Sequence, residues 1–557
     1  MGKLDSHQLV RRAWLRWLPA PALAASLASA QPANASRSSN DLGARTYNIR
    51  DYGAKGDGTT LDTSALQAAI DTCHRDGGGT VLVPQGTFHI GTVELKSNVT
   101  LHVAASGKLL GSADGKQYHA VDAIPLHGDS TLQDGNWALL FAINAKNVAV
   151  EGPGMIDGQG FQFHSPVRGT PPPSGLGGNR RPYLLLFYRC QGLTVRDIDL
   201  FQSAYHCVRV IQSAFVHMNG LRIYNRVNSN NDGFHFISSE HVTISNCDVQ
   251  SQDDACALFG SCKYVSITNS SFSTRWSVFR FGGGVAENIA VSNCLLYQVY
   301  GCPIKFHGSP GSRFENMSFS NLIFDDVTGP IHISLGPSNR PQSFQESRPP
   351  AVARNISFNN IHGTVTTNPP QLPGVPFTSN YRPGEGHSCI TLNCVGGATL
   401  ENITFENVHL TFGGGGTAED AARRDLPQIA GEYFMLGPMP AYGFYARNAQ
   451  AITLSNIRFQ VSHPDLRPAV IFDHVYDAAI NGLGVDGNQH AESVLRLIDS
   501  NQVLLTALRL LTPAAVFLQL EGVASNGITV DGGDLSKAGA PLACKNGAKN
   551  TAVRIRG

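Results

Sequence analysis

Three acidic residues carry the most chemistry in this chain. Asp232 stands in the run Asn230-Asn231-Asp232-Gly233, and Asp253 and Asp254 stand side by side in Gln252-Asp253-Asp254-Ala255. Carboxyl groups gathered at close range cannot all ionise freely, so at least one stays protonated near neutral pH. A protonated acid beside an ionised base is the equipment of general acid/base catalysis. Basic residues recur at a similar interval on either side: Arg209 before Asp232, then Arg280 and Lys305 after Asp254. His307 follows two residues after Lys305, on the same face if the segment is a strand. Cations beside carboxylates suit an anionic sugar such as a uronate. Each acidic motif alone also reads as ordinary turn chemistry. Two of them one interval apart, with a basic column alongside, point to a site.

That interval belongs to a repeat. The unit is apolar-x-apolar-x-Asn-x-apolar, as in the stretch from His241 with Val242, Ile244 and Asn246. Later copies place their asparagines at Asn269, Asn293, Asn321, Asn360, Asn407 and Asn456, while Gly152, Asp197 and Gly220 hold the same place earlier. Spacings from Asp197 to Asn321 are roughly 23 to 28 residues, a solenoid period. Each unit holds one short alternating strand whose apolar face a single coil cannot bury, so coils must stack. Asparagine tolerates the left-handed turn conformation and can bond to asparagines above and below. The expected architecture is all-β, a parallel β-helix; a propeller would need about 40 residues per blade from the start. Stacking sets successive coils about 4.8 Å apart, which would bring the two acidic motifs onto one face. The Asn-x-Ser/Thr triplets at Asn316, Asn355 and Asn402 read as coil asparagines rather than glycosylation acceptors.

The stretch Thr63–Cys73 has helical apolar spacing and a Thr/Ser start, so it predicts a short helix closing the N-terminal end of the solenoid. Glycine- and proline-rich insertions at about 158–182, 336–352, 364–388 and 412–442 would wall a groove. Residues 1–30 read as a signal peptide of possible twin-arginine type, from Arg11-Arg12 to the Ala28-Ser29-Ala30 end. Residues 31–45 read as a linker and 46–557 as one domain, with a cap over about 46–90 and catalytic coils over about 185–335. The expected location is therefore periplasmic or secreted, with no membrane span.

The net charge of zero disfavours a nucleic-acid partner, and 15% charged residues suit a β-rich chain full of turns. Eleven cysteines without Cys-x-x-Cys pairs argue against a zinc site. They predict mostly buried free thiols with at most one or two disulfides. No cofactor, no metal and a monomer are expected.

These motifs resemble glycoside hydrolase family 28, the polygalacturonase family, over roughly residues 46 to 460. Asn230 to Gly233 is similar to that family's Asn-Thr-Asp-Gly motif, with Asn for Thr. Gln252-Asp253-Asp254 matches its Gln/Gly-Asp-Asp motif, and Pro303-Ile304-Lys305 matches its Arg-Ile-Lys motif at the last two residues. The family's Gly-His-Gly motif is absent from the corresponding stretch, Ser273 to Gly284. The resemblance implies a right-handed helix, Asp253 as proton donor, and Asp232 with Asp254 as the water-activating pair of an inverting hydrolysis. Lys305 would hold the substrate carboxylate, and Arg275 or Arg280 would replace the missing charge, with Asn230, Arg209 and His307 lining the site. The substrate would be an acidic, pectic polysaccharide. A polysaccharide lyase, with an Asp cluster holding Ca²⁺, and a non-catalytic glycan-binding β-helix fit the same fold.

Overall fold

A computed structural model describes residues 44–121, 124, 136–165, 170–337, 348–373, 375 and 385–556. The proposed signal peptide lies outside these residues. From Leu42 onward the chain forms one compact unit. It is a right-handed parallel β-helix: among the described residues every strand ladder is parallel, and the strands sort into one 25-stranded and one 15-stranded sheet. Along the strands of the first sheet buried and exposed residues alternate, as in Glu240–Ser245, where Val242 and Ile244 point into the core. Phenylalanines stack from coil to coil in that core, with Phe319, Phe358 and Phe405 at centroid separations of 5.2 and 4.7 Å.

The turn asparagines Asn246, Asn269, Asn293, Asn321, Asn360, Asn407 and Asn456 all have φ between 50° and 56°. This is the left-handed region, which asparagine enters more readily than other side chains. Asn321 Nδ2 donates to Asn293 Oδ1 at 3.0 Å, and Asn360 Nδ2 to Asn321 Oδ1 at 2.8 Å. A second ladder joins Asn316, Asn355 and Asn402, so these three are coil asparagines. Both ladders face solvent, and Asn269 bonds Thr268 rather than its ladder neighbours.

The predicted helix spans Thr63–Arg75 (α1), two residues longer than its pattern suggested, and turns Leu66, Ala69, Ile70 and Cys73 into the core. It packs against the first coils. All eleven cysteines are free thiols, ten of them buried. Burial pushes their pKa values up, Cys207 beyond the thiol range and Cys262 to about 12. Among the described residues no helix is long and apolar enough to cross a membrane.

Candidate active site

Six consecutive strands of the 15-stranded sheet carry the site: β1 (Val208–Ile211), β2 (Phe234–Ile237), β3 (Cys256–Phe259), β4 (Ser277–Gly282), β5 (Cys302–Gly308) and β6 (Ile331–Leu335). Register puts Arg209, His235, Ala257, Arg280, Lys305 and His332 in one column. The carboxylates precede this column, in the turns that enter β2 and β3. Gly233 N donates to Asp254 O at 2.9 Å and Ala255 N to Ser277 O at 2.8 Å, so Asp232, Asp254 and Ser277 lie in successive coils. Arg209 is therefore level with His235, not with Asp232 as its spacing suggested.

Asp232 is buried and accepts a hydrogen bond from His235 Nδ1 at 2.7 Å. His206 Nε2 lies 3.7 Å from its other oxygen. Arg209 Nη1 donates to His206 Nδ1 at 2.9 Å, which leaves the His206 proton on Nε2, facing Asp232. The two imidazoles stack at 4.3 Å. Burial drives both histidines well below their usual pKa, so they are neutral donors. His206, Asp232 and His235 have ligand-type atoms within 4.8 Å of one another, the spacing of a metal centre. The nitrogens facing Asp232 carry protons in this arrangement, so they serve the carboxylate instead.

Asp253 is partly exposed, and Asp254 is buried. Burial and then the Asp254 charge raise Asp253 from 3.8 to about 7. Asp254 N donates to Asp253 Oδ1 at 2.9 Å, and Asn230 Nδ2 reaches Asp253 Oδ2 at 3.4 Å. Asn230 sits at φ 54° and accepts from Arg181 Nη2 at 3.2 Å. Arg181 belongs to the end of the first predicted insertion and lies over the Tyr205 ring at 4.3 Å. Burial also raises Asp254, opposed by Lys305 and Arg280, and its Oδ1 is buried without a hydrogen bond.

Lys305 and Arg280 share one further carboxylate, Glu432. Its Oε2 is 2.5 Å from Lys305 Nζ and its Oε1 3.5 Å from Arg280 Nη2. Arg280 Nη2 also reaches His307 Nδ1 at 3.3 Å. Arg275 turns elsewhere: it is buried over the Tyr300 ring at 5.6 Å, beside Arg226, and its nitrogens have no hydrogen-bond partner among the described residues. Of the two arginines in the Ser273–Gly284 stretch, Arg280 faces the Glu432 carboxylate and Arg275 does not. The coil period could have revealed His206, His235 and His332, one step from known columns. Nothing in the sequence pattern marks Glu432.

The sequence model of glycosyl hydrolases family 28 matches residues 73–373, more than half of the chain. An exo-poly-alpha-D-galacturonosidase of Dickeya chrysanthemi is 24% identical over 439 residues, covering 65% of this chain and 71% of that protein. An exopolygalacturonase of Platanus acerifolia is 24% identical over 396 residues, covering 69% and 96%. The solved structure of a family 28 exopolygalacturonase from Yersinia enterocolitica superposes with a TM-score of 0.56 at 19% identity, over 78% of each chain. A β-helix that sets three carboxylates in adjacent turns, together with the family match, establishes that this chain belongs to glycosyl hydrolases family 28 and is a glycosidase.

Proposed function

We propose that this glycosidase hydrolyses a bond in a pectic, uronate-containing polysaccharide with inversion at the anomeric carbon. The observation that carries this reading is the Asp253 carboxyl, held to about 7 by burial and by Asp254, at a partly exposed position. It keeps a proton to give to the leaving glycosidic oxygen. Asp232, held by His235 Nδ1 with His206 beside it, and Asp254 then orient a water and take its proton as it attacks from the opposite side. Hydrolysis balances: the C–O bond breaks, the leaving sugar takes the Asp253 proton, and water supplies the new hydroxyl. The pectic substrate is supported by the galacturonan activity in the relatives' names. The Arg11-Arg12 leader supports export, and the chain is proposed to work as a monomer.

The test is Asp253→Asn, which keeps shape and removes the proton. It should lower kcat by about 10²–10⁴ and leave substrate binding nearly intact. Proton NMR of early product from the native enzyme should show the anomer opposite to the substrate's. Full activity in the variant, or a retained anomer, would overturn the reading.

A further inference from the structure

Glu432 belongs to the segment 415–443, which leaves the coils after one strand and returns before the next. It opens with a short helix, Ala418–Ala422 (α2), started by a Thr417/Asp420 capping box at its N-terminus. Contacts flank Glu432 closely on both sides. Ala430 N donates to Pro337 O at 2.9 Å, and His332 Nε2 bonds Gly431 O at 3.1 Å. On the far side the Tyr433 hydroxyl meets Thr328 Oγ1 at 3.2 Å, and Phe434 sets its ring edge-on to Trp276 at 5.9 Å. Upstream, Arg424 spans Glu521 and Glu492, and Arg447 holds the Leu426 and Pro427 carbonyls. The backbone around Glu432 is fixed to the coils and is not a loose flap.

The Glu432 carboxylate gives one oxygen to Lys305 and the other to Arg280, the way a uronate carboxylate would be received. Burial opposes its charge, but Lys305 and Arg280 overcome that and hold it at about 2, so it stays ionised at any working pH. A second carboxylate brought to the same pair would face Glu432 at short range and would have to lose its charge. What the seat does offer is an acceptor for hydroxyl groups beside the partly exposed Trp276 ring, with Lys305 Nζ over one ring face at 4.9 Å. A partly exposed indole beside a carboxylate acceptor suits an uncharged pyranose.

We infer that Glu432 determines specificity: it takes the place of a substrate carboxylate on Lys305 and Arg280, so the sugar unit bound at that subsite is neutral. This rests on the reading of Asp232, Asp253 and Asp254 as the hydrolytic groups. It replaces the expectation that Lys305 holds a uronate.

Oligogalacturonates of one length, in free-acid, methyl-esterified and carboxyl-reduced form, test it. Cleavage is measured with native enzyme and Glu432→Gln, and binding by calorimetry in the Asp253→Asn background with and without Glu432→Gln. The native enzyme should favour an uncharged form over the free acid by about tenfold or more in kcat/KM, the scale of one charge-assisted hydrogen bond. Glu432→Gln should reverse that order, chiefly through KM. Native preference for the free acid, with the variant weakening it, would overturn the inference while leaving the hydrolase reading intact. Absence of cleavage with the same neutral-over-acid order in binding would sustain the inference and sink galacturonan as the substrate. The native order decides the matter even if the variant fails to fold.

Discussion

Asp253→Asn has a consequence for stability as well as for rate, and the two run in opposite directions. In the unfolded chain Asp253 ionises near 3.8; in the folded chain it does so near 7, chiefly because burial penalises the charge. Between these values the folded form holds a proton that the unfolded form has lost, so native stability falls as pH rises through the window. Below about 4 both states are protonated and the group contributes nothing; above about 7 the loss is complete. The gap between 3.8 and 7 corresponds to about 4 kcal/mol at about 1.4 kcal/mol per decade of proton affinity. Solvent screening at this partly exposed side chain brings the expected figure nearer 2 kcal/mol. Asparagine carries no charge to desolvate and keeps the Oδ1 that accepts from Asp254 N. The inactive variant should therefore melt at the same temperature as native protein near pH 3.5 and above it at pH 8. Thermal midpoints followed by circular dichroism every half pH unit would trace the opening of that gap. A gap that is constant with pH, or a native protein that is the more stable at pH 8, would refute the burial of an acid at position 253.

The same proton sets the rate: kcat should fall on the alkaline side with a midpoint near 7, where Asp253 loses it, as a pH–rate profile would show. Lys305→Met should cost about 2–3 kcal/mol by leaving the half-buried Glu432 with Arg280 alone. Adding Glu432→Gln should recover most of this in a denaturant double-mutant cycle. Asn321→Leu should cost about 1–2 kcal/mol, because leucine resists the φ of 55° there. Asn321→Gly should cost less in the same thermal assay, since glycine accepts that φ and gives up only the ladder bonds. A thiol reagent should modify at most Cys544 in native protein and all eleven cysteines after denaturation, counted by absorbance.

The coils were legible because their signal is periodic. Asn246 and Asn321 announce themselves by position within a short alternating unit, and the structure gives both the left-handed turn that unit requires. The acidic pair was legible because both motifs lie in turns of consecutive coils, where chain distance translates directly into stacking. Arg209 was placed three residues off, level with Asp232 instead of His235, because coil counting fixes the coil but not the residue within it. The insertions were legible only as insertions. Glu432 reaches Lys305 across 127 residues of chain through an irregular segment, and no period relates the two. Arg275 and Arg280 could not be told apart from spacing, since only the start of β4 decides which guanidinium faces Glu432 and which lies over Tyr300.

The eleven unpaired thiols bear on where this protein can mature. None of its coils is closed by a covalent link, so assembly asks nothing of an oxidant, an isomerase or a particular order of pairing. With no disulfide to form, a reducing cytoplasm does not stand in the way of assembly, and a reducing environment afterwards has no covalent link to break. Production in an ordinary reducing host should therefore yield the same active form, with no refolding step and no dependence on added glutathione.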